Sequence, residues 1–251
     1  MLKKLNDNEL QSNSFDHVLL NMPKDIRKVI IKSIEGRELK LEDCEMLFEA
    51  DHSTLSAIFK YSEILQEQVN GLKTSFVINR NINFTNICYM GCKFCGFAKR
   101  MEDKGAEWLS VEQIVARAKE AKERGATEVC IQGGLHPKLP GTFYRDIVIG
   151  IKKELPEMHV HAFSPFEIWY GSSKTKLNFE DFLIDLQECG LGSIPGTAAE
   201  ILDTDIRNKL TKNKLSSKNW IEIIKTAHKL GIPSSATIMY GHIDKPIDWA
   251  R

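Results

Sequence analysis

The chain has 251 residues and a mass of 28.5 kDa, room for one large domain, or for a barrel of alternating strands and helices with a small extension. Hydrophobic residues make up 42% and charged residues 27%, so a packed core is feasible and wholesale disorder is excluded. Lys plus Arg and Asp plus Glu both number 34, which excludes a global basic field for holding nucleic acid or an anionic membrane. No apolar run approaches the roughly 18 residues of a membrane-spanning helix. The first ten residues lack the apolar stretch of a secretory signal. A cytoplasmic protein is expected, with neither nucleic acid nor membrane as a partner. Its six cysteines are then expected to be reduced, and close spacing among them points to metal binding or catalysis.

Along the chain, residues 1–22 are polar and irregular and are expected to form a loose arm. Residues 23–74 are expected to be a helical extension. Pro23 suits a first helical turn, and Ile26, Val29, Ile30 and Ile34 follow at helical spacing. Residues 41–70 carry seven acidic side chains and one lysine, read as a solvated helix face or an acidic docking patch.

A parallel α/β pattern is expected over 75–251. The spacing predicts strands at Ser75–Asn83, Val129–Ile131, Met158–Phe163, Leu191–Ile194 and Ile232–Met239. The helices between them start at Ser110, at 142, at Asn178 and at Ser217. Ser110 to Gln113 reads as a capping box, and Trp220, Ile223, Ile224 and Ala227 share one helical face. Gly125, Gly190 and Gly231 each stand where a helix hands over to a strand, as left-handed C-caps do. The strand-to-helix loops are the longer ones. In a parallel barrel those loops share the face that carries active sites; a flat doubly wound sheet is the architectural alternative.

Cys88, Cys92 and Cys95 form C-x3-C-x2-C in the loop after the first strand. A structural zinc wants four ligands, often from paired C-x2-C motifs, and no second pair exists. A disulfide would leave one cysteine over and suits the wrong compartment. Three soft thiolates on one loop suit a [4Fe–4S] cluster with one iron left open for a substrate or cofactor. Cys44, Cys130 and Cys189 stand alone and read as small packing residues.

With Phe94 as the aromatic, C-x3-C-x-aromatic-C at the end of a first barrel strand resembles the signature of the radical S-adenosylmethionine (SAM) enzymes. That resemblance implies that SAM chelates the open iron, and that one electron from the cluster yields methionine and a 5′-deoxyadenosyl radical. Four further segments narrow it: Gly133-Gly134-Leu135-His136-Pro137, His159 to Ile168, Gly190 to Ile201 and Ala236 to His242. Together they resemble the second-subunit family of FO synthases, the tyrosine 4-hydroxyphenyl transferases (EC 2.5.1 class) of deazaflavin coenzyme biosynthesis. The futalosine-pathway radical SAM enzymes of menaquinone synthesis share these segments more loosely. A cluster-binding fragment without catalysis is the alternative from another class.

The resemblance runs from about Leu39 to Arg251. It implies a partial radical SAM barrel with five of six core strands, preceded by the helical extension and incomplete at its C-terminus. The implied cofactors are a [4Fe–4S] cluster on Cys88, Cys92 and Cys95, and SAM. Phe94, Gly133, Gly134, Thr197 and Glu200 are the implied cofactor-binding residues. Tyrosine is implied to lose its side chain as a 4-hydroxybenzyl group to 5-amino-6-(D-ribitylamino)uracil, releasing 2-iminoacetate. The first FO synthase subunit and a low-potential electron donor are the implied partners.

Other readings stay open for several of these residues. Gly133 and Gly134 also suit an ordinary turn, and Glu200 suits a helix N-terminal acid. His136, Tyr240 and His242 occupy strand-end turns and are candidates for substrate contact or proton transfer. His159 and His161 alternate on one strand, so they face the same side, as substrate ligands or as hydrogen-bonded core residues. The lysine-rich stretch Lys209–Lys218 reads as a solvated loop or as a docking surface for an acidic electron donor.

Overall fold

A computed structural model of the chain describes residues 19–20, 22–211 and 213–251. Most of the expected arm over 1–22 lies outside the described residues. The chain divides into two compact units, one of residues 1–75 with Ile243–Arg251, the other Phe76–His242. The last nine residues thus group with the N-terminal helices.

In the first unit, α1 (Lys24–Ile34), α2 (Leu41–Phe48), α3 (His52–Asn70) and α10 (Pro246–Ala250) are helical. Ile26, Val29 and Ile30 form the buried stripe of α1, as their spacing predicts. Ile26 and Ile30 share a small core with Met22 and Tyr61. Asp51 begins α3 by accepting from the Thr54 N–H at 2.8 Å, which satisfies one of the donors a helix start leaves unpaired. The Phe48 and Trp249 rings meet edge to face, 5.2 Å apart.

The second unit is built on a parallel sheet. β1 (Asn79–Asn83), β2 (Glu128–Gln132) and β3 (His159–Ala162) pair in that order. α4 (Val111–Glu123) crosses from β1 to β2 and α5 (Phe143–Glu154) from β2 to β3. Parallel neighbours require such crossovers. α6 (Pro165–Thr175), α7 (Phe179–Glu188), α8 (Thr204–Leu210) and α9 (Ser217–Lys229) follow.

The expected fourth and fifth strands are shortened to single parallel bridges, His161 to Ser193 and Ile194 to Ser234. The direction of the sheet continues through them, since Ala162 N donates to Ser193 O and Ile194 N to Pro233 O. The first strand is also shorter than expected: residues 75–78 stay outside it, although Ile78 O accepts from Thr127 N.

Alternation decides which side chains reach the interior of the curved sheet. Val129, Ile131, Val160 and Ala162 are fully buried against the helices. Their neighbours on the other face are polar: Asn81 and Asn83, Gln132, His159 and His161. Gly125, Gly190 and Gly231 take φ of 88°, 106° and 76°, the left-handed C-caps read from the sequence.

Two helices escaped the pattern. α6 starts at a capping box in which Ser164 Oγ accepts from Glu167 N and the Glu167 carboxylate returns to Ser164 N. Pro165 sits at its first turn, where its missing N–H costs nothing. The small polar residues Gly171, Ser172 and Ser173 hide its periodicity. α8 has only seven residues, too few to show a period. One cap also shifts: Ser216, not Ser217, caps α9, and Ser217 Oγ donates to Leu202 O at 2.7 Å.

Candidate functional site

The loop after β1 carries the three cysteines and is held from several sides. Thr85 Oγ1 donates to Glu107 O at 2.7 Å, and Asn86 Nδ2 donates to Gly105 O at 2.8 Å. Cys88 N donates to Lys99 O at 3.0 Å. Arg100 reaches the Cys88 carbonyl at 3.1 Å. Gly91 turns the loop between the first two cysteines with φ of 70°, a conformation that favours glycine. All three cysteines are free thiols, Cys88 and Cys92 half-buried and Cys95 exposed.

These cysteines line a cavity of about 320 Å³ at the C-terminal ends of the strands. Asn81, Asn83, Gln132, Gly133, Gly134, Thr197, Glu200 and Phe94 line it too, with Glu167 and Lys214. All eight residues expected to hold the cluster and SAM therefore surround one cavity. The volume falls at the lower end of ordinary small-molecule sites.

The glycine pair is required by the protein's own packing. A Cβ on Gly134 would lie 2.4 Å from Ile87 O and 2.9 Å from Cys88 Cβ; one on Gly133 would lie 2.7 Å from the Phe84 ring. Only glycine lets the turn after β2 press against the cysteine loop. Gly134 N donates to Thr85 O at 2.8 Å, tying the two loops together.

Glu167 was not singled out from the sequence as a site residue. Its Oε1 accepts from Gly133 N at 2.9 Å, and its Oε2 accepts from Ser164 N at 2.8 Å and Ser164 Oγ at 2.6 Å. Complete burial pushes its carboxyl up to about 7, against the pull of these hydrogen bonds. Burial disfavours the charged form, and a cation nearby would favour it.

Glu200 stands in a loop before α8, with φ of 54°, not in a helix turn. Ala198 has φ of 62°. The buried Arg207 guanidinium holds this unusual backbone. It donates to Ala198 O at 2.9 Å, to Ile201 O at 3.2 Å, to Leu215 O at 2.6 Å and 2.9 Å, and to Ala199 O. Its planar fork makes that multiple capture possible.

Lys214 corrects the reading of Lys209–Lys218 as a solvated loop. Its side chain is only 8% exposed; its ammonium pairs with Glu200 and lies 5.2 Å from the centre of the Phe94 ring. Lys209 and Lys218 remain exposed. Thr197 Oγ1 donates to Gln132 Oε1 at 2.7 Å, and Trp220 Nε1 donates to Thr197 O at 2.9 Å.

The structure does not bring the three catalytic candidates to this cavity. His136 is buried, its ring 4.7 Å from Trp108, and its Nδ1 accepts from Lys138 N at 3.0 Å. Burial, then Lys138, lowers its pKa, which favours the neutral ring. His242 donates from Nε2 to Met239 O at 3.0 Å, and Tyr240 is exposed. His159 Nε2 and His161 Nδ1 each lie 2.7 Å from Ser193 Oγ. One hydroxyl has a single proton, so at least one of the two rings donates to it.

The donor set fits a [4Fe–4S] cluster. A four-iron cluster puts each thiolate on its own iron, and three free thiols around one cavity meet that need.

The family model of the Radical SAM superfamily matches residues 82–250. The chain belongs to this superfamily. It is 50% identical over 212 residues to the FO synthase of Streptomyces avermitilis, covering 84% of this chain and 25% of that protein. It is 54% identical over 200 residues to the FO synthase of Mycobacterium tuberculosis, covering 80% and 23%. It is 46% identical over 232 residues to the 5-amino-6-(D-ribitylamino)uracil–L-tyrosine 4-hydroxyphenyl transferase of Methanocaldococcus jannaschii, covering 91% and 62%. The chain thus spans about a quarter of the length of these FO synthases. Among solved structures, the hydrogenase maturase HydG is similar with a TM-score of 0.70 at 17% identity, covering 99% of this chain and 54% of that one. Methylornithine synthase (PylB) follows with a TM-score of 0.61 at 19% identity, covering 82% and 57%. These two show the fold. Radical SAM enzymes in general use a [4Fe–4S] cluster and SAM, which accords with the thiol-lined cavity.

Proposed function

We propose that this radical SAM protein transfers the 4-hydroxybenzyl group of L-tyrosine to 5-amino-6-(D-ribitylamino)uracil in FO biosynthesis. The observation that carries the reading is the single cavity shared by the three cysteines, the glycine turn and the Thr197–Glu200 loop. The strong identity to a transferase of that name supports the substrate pair.

Cys88, Cys92 and Cys95 would hold the cluster, and Phe94, Gly133, Gly134, Thr197 and Glu200 would hold SAM. When bound, these two groups would supply the radical chemistry that activates tyrosine. The chain's own residues do the rest. The Glu167 carboxylate, fixed by Gly133 and Ser164, would offer a negatively charged hydrogen-bond acceptor to the amine of the bound cofactor. Lys214 neutralises and orients Glu200 at the opposite wall. Polar side chains that line the cavity from the interior face of the sheet, such as Asn81 and Asn83, would hold substrate.

His136, Tyr240 and His242 would take part only through residues between them and the cavity. The product would pass to the first FO synthase subunit, and a low-potential donor in the cytoplasm would supply the electron. No described helix is long and apolar enough to cross a membrane.

The test is anaerobic incubation of the reconstituted protein with SAM, dithionite, tyrosine and the diaminouracil. The coupled product is expected, together with 2-iminoacetate and 5′-deoxyadenosine. Deoxyadenosine formed only with an aminofutalosine-pathway substrate would reassign the chain to menaquinone synthesis.

A further inference from the structure

The cysteine loop is gripped from the far side of the site by Leu210, Thr211 and Lys214. Three contacts make the grip. Lys93 N donates to Leu210 O at 3.1 Å. Thr211 Oγ1 lies 3.2 Å from Cys92 Sγ. Lys214 lies over Phe94 and pairs with Glu200. The grip is itself anchored. Thr211 closes α8 in an extended conformation, its N–H donating to Arg207 O at 2.9 Å. Arg207 in turn is bonded to the carbonyls of Ala198, Ile201 and Leu215.

Thr211 is 3% exposed, so water does not compete for its hydroxyl. Among the described residues, no hydroxyl stands so close to the sulfur of Cys88 or Cys95. Between a thiol and a hydroxyl the direction of the hydrogen bond is open. On an iron-bound thiolate it is not, because the sulfur has lost its proton and can only accept.

We propose that Thr211 is a positioning residue for the cluster: its hydroxyl donates to the Cys92 thiolate, fixes that ligand and raises the reduction potential of the iron it binds. The proposal rests on the cluster assignment made above. The physical reason is charge. Reduction adds an electron to the cluster and its thiolates, and a donor aimed at sulfur stabilises that extra negative charge more than it stabilises the oxidised state. The effect makes the electron that cleaves SAM easier to load.

The experiment is an anaerobic redox titration of the reconstituted protein, followed by the electron paramagnetic resonance signal of the reduced cluster. Iron and sulfide are quantified first. Thr211→Val removes the hydroxyl at nearly constant volume, Thr211→Ala removes it without bulk, and Thr211→Ser keeps it. The apolar variants are expected to shift the reduced-to-oxidised ratio at a fixed potential by about tenfold toward oxidised. For one electron that is a midpoint more negative by about 59 mV. Thr211→Ser is expected to match the parent protein. Equal midpoints in parent and apolar variants, all with full clusters, would overturn the hydrogen bond while leaving the cluster assignment standing. A shift in Thr211→Ser as large as in Thr211→Val would overturn it too, by showing a packing effect. A parent protein that takes up no iron would overturn the cluster assignment itself.

Discussion

The Gly133 amide donates to the Glu167 carboxylate at 2.9 Å, joining the turn after β2 to the first turn of α6. That one bond puts a fully buried acid at the wall of a thiol-lined cavity. It also sets up two consequences that can be measured, one for stability and one for binding.

The Glu167 carboxyl is raised from 4.5 to about 7 by burial. A raised value in the folded state means a contribution present in full below about pH 4.5 and lost as the pH rises through about 7. The loss corresponds to about 3 kcal/mol. Urea unfolding of the ligand-free protein and of Glu167→Gln across that window should show the parent losing stability relative to the variant. Above pH 8 the difference should level off.

A cationic ligand group beside Glu167 would favour its ionised form. Binding of SAM by the reconstituted protein should then weaken about fivefold from pH 7 to pH 6 as the carboxyl takes up a proton. Equilibrium dialysis reads this directly. Glu167→Gln should bind SAM weakly, with a flat pH profile from this position.

Gly134→Ala tests the contact between the glycine turn and the cysteine loop. Its new Cβ would stand 2.4 Å from Ile87 O, so the loop must move. A stability loss of about 1–3 kcal/mol is expected from such overpacking, with iron uptake reduced. Gly96→Ala is the control in the same loop, because a Cβ there meets nothing within 4 Å and iron uptake should be retained.

Arg207→Met should destabilise the protein by about 3 kcal/mol, since several buried carbonyls lose their donor together. The urea midpoint measures it. Arg207→Lys should recover little, because one ammonium cannot reach carbonyls on both sides of the loop as a planar guanidinium does.

Much of this architecture could be read from the chain. The cysteine spacing, the glycine C-caps at Gly125, Gly190 and Gly231, and the face of Trp220, Ile223, Ile224 and Ala227 all depend on local pattern. They recur in the structure. The eight residues expected to hold the cluster and SAM line one cavity because they follow the C-terminal ends of parallel strands, a relation that topology dictates.

What stayed hidden depends on partners distant in sequence. Lys214 looks like one more solvated lysine until the fold closes it against Glu200, fourteen residues earlier. Arg207 and Thr211 act through backbone carbonyls and a sulfur that no local pattern announces. Glu167 did carry a signal, the Ser164-Pro165-Phe166-Glu167 capping box. Its second role appears only when Gly133 arrives from 34 residues away. The fourth and fifth strands were read too long because apolar runs show where a strand can form, not how far its neighbour pairs with it.

The most direct test of the central claim is cleavage of SAM by the reconstituted, dithionite-reduced protein, followed by chromatography of 5′-deoxyadenosine and methionine. The account expects the two in equal amounts, and none of either from Cys88→Ala, Cys92→Ala or Cys95→Ala. A full cluster without cleavage, or cleavage that survives loss of these cysteines, would contradict it.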